Sequence, residues 1–197
     1  MVRTSRSVFV LIGLLLGSMF VIAGQAQQVS VASIGKFPAL DSETLEKQAV
    51  RLPQDFRGER NLLLIAFKRE QQKDIDTWLM QMKRYEDIDK GFRYYEIPTI
   101  ERMNRFMRWF INTGMRTGIP DVKARERTIT LYIDKEPFKK SLQIADEKQI
   151  YAMVVDRSGN VLWRATGPYD EANGKSLQEF LERSIAHPMV VPTNPAN

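Results

Sequence analysis

"NLLLIAFKREQQKDIDTWLMQM" occupies residues 61–82, and its reading decides the fold. Residues 62–67 form an unbroken apolar run, the pattern of a strand covered on both faces, as in a parallel sheet. A polar loop follows, and then Ile75, Trp78, Leu79 and Met82 recur at i, i+3, i+4 and i+7, one stripe of an amphipathic helix. The loop between strand and helix reads Lys68, Arg69, Glu70, Gln71, Gln72, Lys73, Asp74. A helix N-terminus lowers the pKa of a thiol placed there, so such a loop is where a reactive cysteine would be expected. The chain has no cysteine at all.

Working outward, residues 91–98 ("GFRYYEIP") read as the next strand, ended by a proline that cannot donate to a ladder. In residues 99–116 ("TIERMNRFMRWFINTGMR"), Ile100, Met103, Phe106, Met107, Phe110 and Ile111 fall on one helical arc. Arg102, Arg105 and Arg108 fall on the other side, with Trp109 among them. The arc is expected to pack on the sheet, Phe110 included, and Gly114 to stop the helix. Residues 127–134 alternate as a third strand, and residues 136–142 are expected as a short helix. Residues 150–156 and 160–166 are two strands joined by Arg157, Ser158 and Gly159, the last suited to positive φ. Leu177, Phe180, Leu181 and Ile185 mark a final helix. Strands separated by helices require crossovers, and the late hairpin adds an antiparallel edge. The predicted class is α/β, with a mixed sheet of about five strands and flanking helices.

The ends of the chain carry other signals. Arg3 and Arg6 precede an uncharged apolar run at residues 7–23, and Gly24-Gln25-Ala26 sets small residues where a leader peptidase cuts. Residues 1–26 are therefore expected to be a signal peptide, or an N-terminal anchor if retained. The run is slightly shorter than the roughly 20 residues of a comfortable membrane span. Either way the protein is expected to be exported, to the periplasm or another extracytoplasmic space. Residues 27–44 read as a flexible lead-in, 45–187 as the domain, and 188–197, with three prolines, as an irregular tail.

Composition excludes several functions. Without cysteine there is no disulfide framework, thiol redox centre or Cys-bound metal. The single histidine, His187, supplies neither a multi-His metal site nor a Ser/His/Asp triad. No metal or other cofactor is expected. Loss of Arg3 and Arg6 with the leader takes the formal charge from +5 to +3, and no basic block alternates with aromatics, so nucleic acid is not an expected partner. Glu70, Asp74 and Asp76 offer paired carboxylates, but the simpler reading is acidic charge complementing a helix dipole. Asp156 and Asn160 read as a turn rather than a cation loop.

The order of elements, with "LPQDFRGERNLLLIAF" (residues 52–67) entering the sheet and "IYAMVVDRSGNVLWRATGP" (150–168) closing it, resembles the thioredoxin-like superfamily. The closing hairpin is similar to that of peroxiredoxin-like members. Residues 115–167 are similar to the mitochondrial ATP-synthase assembly-chaperone family, also thioredoxin-like, which helps assemble a membrane sector. The resemblance implies a three-layer thioredoxin-like sandwich. In redox members a cysteine stands within the loop at Lys68 to Lys73, and a cis-proline precedes the strand at Tyr151, where this chain has Gln149-Ile150. On that basis no catalytic residue is assigned, the chain is expected not to be an enzyme, and thiol-disulfide exchange and peroxide reduction are expected to be absent. The expected role is binding of a protein client, a membrane-complex subunit or a membrane surface, as an assembly factor or chaperone. Trp109, Arg105, Arg108, Lys68, Arg69, Gln71 and Gln72 are the candidate contacts. The alternative is an enzyme of non-thiol chemistry using the loop 68–74.

Overall fold

Five strands form the central sheet of the computed structural model, which describes residues 34–187. Their order is β5 (Leu131–Ile133), β4 (Phe92–Glu101), β3 (Arg60–Ala66), β6 (Tyr151–Val155), β7 (Val161–Thr166). β3 runs parallel to β4 and β4 parallel to β5, whereas β6 is antiparallel to both β3 and β7. The mixed sheet expected from the sequence is therefore present.

β3 is central because both of its faces are apolar. Leu63 and Ile65 face one core with Phe37, Phe56, Ile97, Leu131, Phe138 and Met153. Leu62 and Leu64 face the other with Ile75, Trp78, Met82, Tyr85, Leu177 and Leu181. Alternate residues of a strand point to opposite faces, so an all-apolar run demands cover on both sides. α1 (Gln72–Leu79), α2 (Met82–Ile88) and α6 (Glu171–Ala186) supply the second cover, and α5 (Lys135–Ser141) contributes Phe138 to the first.

Several expectations change. The stripe from Ile75 to Met82 belongs to two short helices that meet at Met80 and Gln81, not to one. β4 runs past Pro98 to Glu101. Pro98 pairs with Ala66 at the end of β3, and the ladder to β5 begins one residue later, at Thr99 opposite Leu131. A missing N–H is tolerated where the strand exchanges one neighbour for another. The third strand shrinks to Leu131–Ile133, and the segment before it forms α4 (Val122–Arg127). The signal for α4 is Asp121, whose carboxylate accepts from Lys123 N at 3.0 Å as an N-cap. At the late hairpin, Gly159 has φ +87°, the conformation for which that turn selects glycine.

The described part of the expected flexible lead-in is ordered. β1 (Leu40–Glu43) pairs antiparallel with β2 (Ala49–Leu52). Phe37 is 1% exposed, packs edge-on against Phe56 and Phe138, and donates its N–H to Gly159 O at 2.7 Å. Burial of one aromatic and a short hairpin hold this stretch against the domain. The leader at residues 1–26 and the tail at 188–197 lie outside the described residues.

Candidate functional site

The carboxyl end of β3 is the first candidate, since open α/β sheets commonly use the loops beyond their strand ends. The chain leaves β3 at Ala66, makes a 3₁₀ turn at Arg69–Gln71 and enters α1. Gln71, expected as a partner contact, is 4% exposed and closes the loop from inside. Its Oε1 accepts from the backbone N–H groups of Phe67 at 2.8 Å and Lys68 at 3.1 Å. Its Nε2 donates to Glu147 O at 2.9 Å, tying the loop to the segment before β6. Three hydrogen bonds to the protein's own backbone hold that amide, so Gln71 is a scaffold residue.

Gln72 is exposed but also tethered. Its Nε2 donates to Asp76 Oδ1 at 3.0 Å and to Glu96 Oε2 at 3.1 Å. Glu96 is 7% exposed, and burial pushes its carboxyl up, opposed by the Gln72 hydrogen bond. Glu147 accepts from Lys135 Nζ at 2.7 Å and lies 3.2 Å from Lys139 Nζ. Partial burial raises that carboxyl, but the two ammonium groups outweigh it and hold the pKa below its ordinary value. Lys68, Arg69 and Glu70 remain exposed. A shallow polar recess lined by Asp146, Lys148, Gln149, Tyr151 and Thr166 flanks the same region. Among the described residues no cluster of three or more acidic or histidine side chains is arranged to hold a metal. Asp156 accepts from both the backbone N–H and the side-chain amide of Asn160, each at 2.8 Å, as a turn does.

Gln71→Leu should cost about 2 kcal/mol, because it strands one buried N–H, one partly buried N–H and a partly buried carbonyl in place of three hydrogen bonds. Gln71→Glu should not restore stability, since a carboxylate can accept from Phe67 and Lys68 but repels the Glu147 carbonyl. Denaturant unfolding of both variants checks this, and a wild-type midpoint for Gln71→Glu would count against the bridge.

The second candidate is α3 (Arg105–Gly118), where the structure departs furthest from expectation. Asn104 caps it, its Oδ1 accepting from Met107 N at 3.0 Å. The helix continues through Gly114 to Gly118, and none of its residues is buried. Phe106 is 70% exposed, Phe110 63%, Trp109 60% and Met107 43%. Phe110, expected in the core, is therefore a surface residue.

The reason is the side by which the helix is held. Asn112 Oδ1 accepts from the Tyr132 hydroxyl at 2.7 Å, and Arg116 Nε donates to Leu45 O at 2.8 Å. Thr130 Oγ1 lies 3.8 Å from the Met115 sulfur. The Arg108 guanidinium stacks over Tyr132, 4.8 Å from the ring centre, instead of over Trp109. Polar anchors at 108, 112 and 116 share one face, so Phe106 and Phe110 are turned away from the domain, while Trp109, at the border of the two faces, is left exposed. Phe106 and Trp109 pack on each other, with ring centres 6.2 Å apart. Arg105 is exposed beside them. The expected contacts thus divide: Trp109 and Arg105 lie at the outward patch, Arg108 is engaged with Tyr132, and Lys68 and Arg69 lie on the separate loop.

No protein-family model matches the chain, and no curated protein does. Among solved structures, it is similar to the thioredoxin domain of a thiol-disulfide oxidoreductase from Bacteroides vulgatus, with 21% identity and a TM-score of 0.51 over 77% of this chain and 99% of that one. It is also similar to a candidate electron-transfer protein from Aquifex aeolicus, with 7% identity and a TM-score of 0.56 over 78% of this chain and 99% of that one. The fold is thioredoxin-like. This corrects the expectation that the chain is not an enzyme. The Bacteroides vulgatus protein is named as an oxidoreductase, so the architecture is one on which catalysis is built. The missing cysteine restricts which side chains are present to act and does not turn the fold into a non-catalytic one.

Proposed function

We propose that this chain is an exported thioredoxin-fold domain that binds a partner through the outward face of α3, in the manner of an assembly factor or chaperone. The observation that carries the reading is the orientation of that helix. Three aromatic side chains are more than half exposed although the domain has two apolar cores that would receive them. Contiguous exposed apolar surface rimmed by charge is the usual mark of an interaction site. Aromatics and arginine are also the residues most enriched where binding energy concentrates. The similarity of residues 115–167 to the ATP-synthase assembly chaperones adds a membrane complex as the setting, and the leader-like N-terminus supplies export. No helix among the described residues is long and apolar enough to cross a membrane.

A photoreactive amino acid at position 109 tests the reading in cells. It should form adducts with envelope components, whereas the same group at Met80, exposed at the junction of α1 and α2, should form none. Phe106→Ser/Phe110→Ser beside it should abolish the adducts while leaving the thermal melt within a few degrees of wild type. Equal labelling from 80 and 109, or labelling indifferent to the serines, would remove α3 as the binding face.

A further inference from the structure

We propose that the surface α3 meets is an anionic lipid headgroup layer, with Phe106, Trp109 and Phe110 entering the interface and the exposed Arg102 and Arg105 meeting lipid phosphates. This rests on the reading of α3 as a binding face and names its occupant. The argument begins with charge. Residues 102–120 contain four arginines, at 102, 105, 108 and 116, and no aspartate or glutamate. Among the described residues no carboxylate forms an ion pair with any of these four. Elsewhere the protein pairs its surface charges readily, as Lys83 does with Asp87 and Lys135 with Glu147 at 2.7 Å. A protein groove would be expected to answer each exposed cation with a placed acid, whereas a lipid surface answers a stripe of cations with a sheet of negative charge.

The apolar side has the matching shape. Phe106, Trp109 and Phe110 stand at i, i+3 and i+4 on a helix about 21 Å long, so they span an arc of about 100° and form a broad ridge, with Trp109 at its arginine-bearing edge. A ridge inserts into headgroups, whereas a protein partner would need a groove to receive it. An apolar arc at Phe106 and Phe110, bordered by Trp109 and Arg105, forms the pattern of a helix lying in the interface plane. The polar face is occupied by the domain itself through Arg108, Asn112 and Arg116, so the helix cannot roll to hide its aromatics.

The test uses the full chain and vesicles of phosphatidylcholine with or without phosphatidylglycerol. Its most specific arm is quenching of tryptophan fluorescence by brominated lipid. Trp78 and Trp163 are 0% and 8% exposed, so contact quenching reports on Trp109. Anionic brominated vesicles should quench the wild type, and Trp109→Phe should lose that quenching while still co-sedimenting. Phe106→Ser/Trp109→Ser/Phe110→Ser should weaken co-sedimentation by at least about tenfold, and raised salt should weaken it too. Because Trp109 is read directly, vesicle attachment through the N-terminal apolar run does not mimic the result.

The lipid proposal is overturned if brominated lipid leaves Trp109 unquenched. Adducts from position 109 that are polypeptide only, together with absent quenching, would keep the binding face and replace lipid by protein. A dimer in solution that the triple serine variant dissolves would assign the ridge to a second copy. Shielding of Trp109 from iodide without vesicles would assign it to the chain's own N-terminal segment. Neither adducts nor quenching would remove both the face and its occupant.

Discussion

Trp78→Ala is expected to destabilise the domain by about 4 kcal/mol, within the range for truncating a buried aromatic. The side chain is 0% exposed and stands edge-on to Trp163, with ring centres 6.1 Å apart, and to Tyr169 at 5.1 Å. Its Nε1 donates to Gly167 O at 3.1 Å, which fastens α1 to the turn after β7. Alanine therefore leaves a cavity between α1, β7 and α6 and strands a buried carbonyl. Trp78→Phe should recover much of the loss, because it restores ring contacts but not the hydrogen bond. Phe110→Ala is the matched comparison, since the side chain removed is aromatic in both. Its cost should stay under about 1 kcal/mol, as for surface positions. Chemical denaturation of the three variants checks the ranking. Similar losses for Trp78→Ala and Phe110→Ala would mean that the position assigned to α3 is wrong.

Asp89→Asn should cost about 3 kcal/mol at neutral pH, because removing one member of a largely buried ion pair leaves the other charge without its buried partner. Asp89 is 3% exposed and follows the last turn of α2. Its carboxylate is ion-paired with Arg60 Nε, accepts from Arg60 Nη2 at 2.9 Å and accepts from Gly91 N at 2.8 Å. Among the described residues the guanidinium has only the exposed Glu59, at 3.2 Å, as another carboxylate partner. The pair joins the first residue of β3 to the chain entering β4, where Arg60 lies in register with Phe92. Burial pushes the Asp89 carboxyl up, but Arg60 and the Gly91 N–H outweigh it and hold the folded pKa below its ordinary value. The unfolded carboxyl titrates near pH ~3.9. A depressed folded pKa contributes stability that is complete above that unfolded value and disappears as pH falls through the folded one. Wild type should therefore lose more stability than Asp89→Asn between pH 6 and pH ~2.5. Parallel acid-unfolding curves for the two proteins would show that the pair is not what fails in acid.

Acid weakening of this pair and the exposure of α3 belong to different parts of the molecule. The first holds the two central strands together, and the second leaves the sheet's packing untouched. Loss of binding through α3 should therefore be separable from loss of fold, which is what makes the serine variants informative.

The sequence by itself determined the sheet and most of its cover. An apolar run at 62–67, a stripe at Ile75, Trp78 and Met82, and a glycine turn at 159 are local patterns, and each marks a strand, a buried helical face or a turn where the structure has one, although the stripe is divided between α1 and α2. The absence of a thiol was equally legible. Local pattern did not determine which way α3 faces. Helical periodicity finds an apolar arc at Phe106, Met107 and Phe110, and it carries no information about whether a sheet lies beneath that arc. Tertiary structure decided that, through Tyr132 meeting Asn112 and Arg108, and Leu45 O accepting from Arg116. Those polar anchors come from β5 and from the segment after β1, distant in sequence, and they turn the aromatic ridge outward. Gln71 shows the same division at smaller scale. As a sequence letter it is a surface-loop amide, and only the approach of the Glu147 carbonyl from 76 residues away makes it the bolt that closes the loop.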